Sequence, residues 1–140
     1  MFRHTRIALP ALLFLLFATA GHAQNDSSAD KAPNLDEIIT KQVDDLIDRY
    51  KLDDYQAFRV DTLLQHYIPI YNAAMKKVKD SGASQVDSYQ MVLDYWGDFF
   101  DSEYQKIFSE SQWKLYMQSA AGREKKKRDK RLEAARAGKQ

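Results

Sequence analysis

Four carboxylates crowd one short stretch of the chain: Asp94, Asp98, Asp101 and Glu103. Asp94, Asp98 and Asp101 stand at i, i+4 and i+7, which places them on one face of a helix. Paired carboxylates of this kind could perform acid–base work, one accepting a proton and another donating it. They need a nucleophile or a positioned histidine to act with, and the chain offers neither. His4 and His22 lie near the N-terminus, so His66 stands alone, whereas a metal centre needs several convergent ligands. With no cysteine there is no thiolate ligand, no cysteine nucleophile and no disulfide framework. Five glycines form no phosphate-cradling loop, and no zinc-protease, calcium-loop or nucleophile-elbow spacing occurs. The acidic group therefore reads as a solvated helix face. The chain is expected to be no enzyme and to hold no cofactor or metal.

The aromatic residues carry more information. Beyond the first segment, all fourteen lie between Tyr50 and Tyr116, and eight of them are Tyr. Most should fill the core of a helical bundle. Tyr50, Tyr55, Tyr89, Tyr95 and Trp96 exceed what four helices can turn inward, and are candidate partner-binding residues. Tyr and Trp combine large contact area with a polar tip, which suits an interface.

Helical elements must position these residues. The 140 residues allow one small domain. Residues 1–23 have the form of a secretory signal peptide: Arg3 and Arg6, an uncharged run from Ile7 to Ala20, then Gly21-His22-Ala23 with a cut expected after Ala23. The apolar run is short for a membrane span. The mature protein is thus expected to be exported, most simply to a bacterial periplasm, without stable membrane insertion. Residues 24–34 read as a disordered leader. From Leu35 the apolar residues recur at helical steps, and no segment alternates like a strand. The expected fold class is all-α, with helices over 35–50, 54–79, 85–107 and 110–130.

Leu35, Ile38, Ile39, Val43, Leu46, Ile47 and Tyr50 form the stripe of the first helix, with Asn34 as N-cap and Glu37 at the capping-box position. The second stripe is Tyr55, Phe58, Leu63, Tyr67, Tyr71, Met75 and Val78, with a kink expected near Pro69. Ser84 with Asp87 could cap the third helix. There Gly97 weakens the helix by roughly 1 kcal/mol relative to Ala and permits close approach of a neighbour. The fourth helix should run on, partly frayed, through Gly122 into a basic tail, residues 122–140.

Two helix starts repeat each other. Leu52-Asp53-Asp54-Tyr55-Gln56 lies over Phe108-Ser109-Glu110-Ser111-Gln112 at an offset of 56 residues. In each, Asp53 or Ser109 accepts from an exposed amide of the new helix and Gln56 or Gln112 reaches back to the cap amide. Leu52 and Phe108, just before the caps, can staple onto the first turn. The doubled pattern, in a small Cys-free chain behind a signal peptide, resembles the Spy/CpxP-like periplasmic family, marked by two L-T-x-x-Q motifs. Leu52 and Gln56 match the first motif, with Asp53 at the Thr position. Gln112 matches the second, with Phe108 for Leu and Ser109 for Thr. The resemblance covers about 35–121. It implies a four-helix, two-hairpin repeat pairing into a thin antiparallel homodimer whose concave face holds non-native envelope proteins without ATP. Some members of that family instead damp a sensor kinase or bind metal.

Charge divides the chain into three: +2 over 1–23, −7 over 24–121 and +6 over 122–140. A basic tail could meet nucleic acid or anionic lipid. Export argues against nucleic acid, and the tail has no aromatics for base stacking and no broad apolar face for a membrane surface. It reads as a solvated tail or as a contact for acidic partners, including the acidic body of a second subunit. Two functions follow. One is an ATP-independent chaperone-like or envelope-stress binding protein. The other is a structural or regulatory interaction module of the envelope, such as a partner of a sensor protein or a metal-binding variant.

Overall fold

The computed structural model describes residues 34–82 and 86–138. The expected signal peptide, the expected leader up to Pro33 and the expected Ser84 cap lie outside the described residues. Among those described, the chain is all-helical, with no strand: α1 Leu35–Tyr50, α2 Asp54–Asp80, α3 Val86–Ile107, α4 Glu110–Gln118 and α5 Ala120–Ala137. The helix expected over 110–130 is therefore two helices divided at Ser119, and the basic tail is helical to Ala137.

Three starts are closed by complete capping boxes, Asn34 with Glu37, Asp53 with Gln56 and Ser109 with Gln112. In each, the cap side chain and the third residue of the helix satisfy amides that have no carbonyl partner within the helix. α1 stops at Lys51, which turns into the left-handed region (φ 55°), with the Leu52 amide bonded back to the Ile47 carbonyl at 3.2 Å. Pro69 sits on the exposed side of α2, which runs through it unbroken. The carbonyl it leaves without an amide belongs to Gln65, also exposed, so water can serve it.

Helix α1 packs on α2, α2 on α3 and α3 on α5, while α4 lies against α5 and α1. The core runs from Ile39, Val43 and Leu46 of α1 through Val60, Leu64 and Ile68 of α2 to Trp96, Phe100 and Tyr104 of α3. Aromatic rings fill its lower end, with Tyr104 and Phe108 stacked at 5.6 Å and Tyr50 5.3 Å from Phe108. The buried face of α2 is centred on Val60, Leu64 and Ile68, so Tyr55 and Phe58 fall on its far side and are exposed. The expected stripe holds from Leu63 through Tyr67, Tyr71 and Met75, which are buried or packed on the core, and fails only at Tyr55 and Phe58.

Candidate functional site

The two repeated motifs meet. Gln56 and Gln112 keep their capping duties: Gln56 Oε1 accepts the Asp53 amide at 3.1 Å, and Gln112 Oε1 accepts the Ser109 amide at 2.7 Å. Their amide groups then cross to each other. Gln56 Nε2 donates to Gln112 Oε1 at 2.7 Å and to the Ile107 carbonyl at 2.9 Å. Gln112 Nε2 donates to Gln56 Oε1 at 3.0 Å and to the Lys51 carbonyl at 3.1 Å. Ile107 and Lys51 occupy the same place in the two motifs, directly before Phe108 and Leu52. Each glutamine thus caps its own helix and the carbonyl end of the helix before its counterpart. Leu52 and Phe108 are buried beside this clasp. The motif residues join α1–α2 to α3–α4, and the polar groups of both glutamines are taken up by these bonds.

The acidic group of α3 is divided rather than solvated. Asp94 and Asp101 are buried, at 6% and 3% exposure, because α5 folds back over them. Arg128, itself buried, donates to Asp101, which also accepts from the Tyr116 hydroxyl. Arg131 binds Asp94 through two nitrogens at 2.9 and 2.7 Å, and Gln90 donates to the same carboxylate at 2.8 Å. The close approach permitted at Gly97 is that of Arg128: a Cβ there would overlap its guanidinium. Burial pushes the Asp101 carboxyl up, against the pull of Tyr116 and Arg128. Burial also raises Asp94, but the hydrogen bonds from Arg131 and Gln90 outweigh it and hold that carboxyl below its usual range. Burial, then the neighbouring Asp101 charge, pushes the Tyr116 phenol up. These groups are bound to one another, and none is aimed at an open cleft as an acid or base must be.

The candidate partner-binding aromatics part company. Tyr50 and Trp96 belong to the core, at 3% and 9% exposure, and Tyr50 donates to Ser119 Oγ at 3.3 Å. Tyr89 is half-buried. Tyr55 and Tyr95 are 70% and 65% exposed. The pattern missed four further exposed apolar side chains, Phe58 at 65%, Met91 at 70% and, less fully exposed, Ile70 and Leu115. Met91 and Tyr95 stand four apart on the outer face of α3, a spacing that could have found them. Tyr55 carries the Arg59 guanidinium over its ring at 5.9 Å. Beside it, Phe58, Leu63, His66, Tyr67 and Ile107 line a shallow groove of about 300 Å³. His66 is exposed and meets the Tyr67 ring edge-on at 4.6 Å. Among the described residues no cluster of side chains could hold a metal ion, and no helix is long and apolar enough to cross a membrane.

The chain matches no protein-family model, no curated protein and no solved structure.

Proposed function

We propose that this is an exported binding protein of the Spy/CpxP-like kind, holding non-native envelope proteins without ATP. The observation that carries the reading is the set of large apolar side chains turned to solvent, Tyr55, Phe58, Met91 and Tyr95, each at least 65% exposed, whereas the other aromatics described are buried or half-buried. Exposed apolar groups on a charged helical surface suit weak, adaptable contacts with many sequences. Lys76, Lys77 and Lys79 near the end of α2 would steer acidic client segments on arrival. The two-hairpin repeat and the periplasmic location belong to the same reading.

The test follows aggregation of a reduced, unfolding model client with and without the mature protein. Suppression is expected, and Tyr55→Ser with Phe58→Ser should weaken it while leaving the melting temperature nearly unchanged, since both side chains are exposed. Added salt should slow capture more than it weakens the complex. No suppression at a few-fold molar excess, at low and moderate salt, would reject client holding and favour an interaction module of the envelope.

A further inference from the structure

The division between α4 and α5 rests on one residue. Ser119 alone leaves the helical conformation, at φ −74° and ψ 176°, with no loop and no proline on either side. Its neighbours, Met117, Gln118, Ala120 and Ala121, are good helix formers. The bent form also needs Gly122, because a Cβ there would overlap the Met117 backbone. A straight helix makes no such demand, since residues five apart stand well clear of each other. Straightening would also give the first amides of α5 the carbonyl partners that a helix start lacks.

The bent form is held by polar contacts with α3. Helix α5 buries only Gly122 and Arg128. Its ion pairs to α3 are Arg128 on Asp101 and Arg131 on Asp94, and beside them only Ala121, at the hinge end, packs on the hydrophobic core. The donors lie on α5 and the acceptors on α3, so the same groove in a second copy offers the same partners. Exchange of an identical element keeps those contacts, and the balance is set by the hinge and by association. We propose that α4 and α5 straighten about Ser119 into one helix over 110–137, and that α5 then docks Arg128 and Arg131 onto Asp101 and Asp94 of a second copy. The straight helix, about 42 Å long, carries Arg128 away from its own α3. The result is a reciprocally exchanged dimer, with the α3 groove as its interface. It does not depend on client binding: failure to suppress aggregation would leave it standing, and a chain that never exchanges could still hold clients.

Light scattering on size-separated mature protein tests it. Gly122→Ala should shift the chain to a dimer. Position 122 is helical in both forms, so the shift comes from the overlap of the new Cβ with the Met117 backbone, which only the bent form carries. Ala120→Pro should do the opposite. Proline suits the first position of α5 and the extended Ser119 before it, and forbids the continuous helix. Exchange further requires that Arg128→Glu and Asp101→Arg, each placed on Gly122→Ala, give monomers when alone and a heterodimer when mixed, because each supplies the partner the other lacks. Circular dichroism on every variant confirms the helical fold. A Gly122→Ala chain as monomeric as the parent overturns the proposal. So does a Gly122→Ala dimer that survives Arg128→Glu alone.

Discussion

A glutamine at the third position of a helix ordinarily serves one cap amide. Gln56 and Gln112 each serve that amide, each other and a distant carbonyl. Truncating either leaves several partly buried groups unpaired, so Gln56→Ala and Gln112→Ala should each cost about 1–3 kcal/mol. That is at least as much as Asp53→Ala or Ser109→Ala, for which about 0.5–2 kcal/mol is expected. The two glutamines share bonds, so the double variant should cost less than the sum of the singles, and denaturant unfolding of all four chains measures the coupling. Additive costs would show that the two amides act separately. Gly97→Ala sets two effects against each other: Ala favours the helix by about 1 kcal/mol, but its Cβ would displace the buried Arg128 guanidinium. The overlap should win. Hydrogen exchange would show it as lost protection in α5 with little change in α1. The cap motifs were legible in sequence because capping is local. Their mutual contact was not, because 56 residues separate the two glutamines.

The boundaries of α1 were legible to the residue, since one stripe, one cap and one left-handed stop agree. The face of α2 was legible from Leu63 onward but misjudged in its first turns, where Tyr55 and Phe58 are aromatic yet lie opposite Val60, Leu64 and Ile68. Helix α5 was read as a frayed tail for a sound reason: it has no apolar stripe, and periodicity sees only apolar burial. Its docking uses Arg128 and Arg131, whose acceptors lie 27 and 37 residues away in α3. That docking has a pH dependence with opposed contributions. The Asp94 carboxyl lies below its unfolded value, so its pairing stabilises the fold above that value and is lost as pH falls through the lower, folded one. Asp101 lies above its unfolded value, so ionising it opposes folding, and that penalty fades as pH falls through the folded value. Asp94→Asn should therefore destabilise by about 1 kcal/mol at neutral pH, less than a fully buried charged hydrogen bond contributes, because the Arg131 side chain is part-exposed. In strong acid, well below the carboxylate range, the variant and the parent should converge. Urea unfolding at the two pH values measures the difference, and an equal gap in both would mean that the carboxylate charge of Asp94 contributes nothing.

At the scale of the molecule, opposite charges that look segregated along the chain are interleaved in space. The −7 body and the +6 tail meet where α5 crosses α3, with Arg128 and Arg131 against Asp101 and Asp94. The outward side of α5 keeps Arg123, Lys126 and Lys130 exposed. Composition could show the asymmetry but not its use, because a buried ion pair depends on which helices become neighbours. The four most exposed apolar residues lie elsewhere, Tyr55 and Phe58 on α2 and Met91 and Tyr95 on α3, so the charge crossing and the candidate client surface can be altered independently.

The glutamine clasp also bears on the order of events in folding. Its bonds join residues 51 to 61 positions apart, whereas the hairpin of α1 and α2 closes across a three-residue turn. Closing the longer loop costs more chain entropy before any bond repays it. The hairpins should therefore form first and the clasp should lock only after the barrier is crossed. Gln56→Ala should then speed unfolding by nearly its full stability cost and leave the refolding rate almost unchanged. Stopped-flow kinetics across a denaturant series would resolve the two arms, and a slowed refolding arm would place the clasp in the nucleus instead.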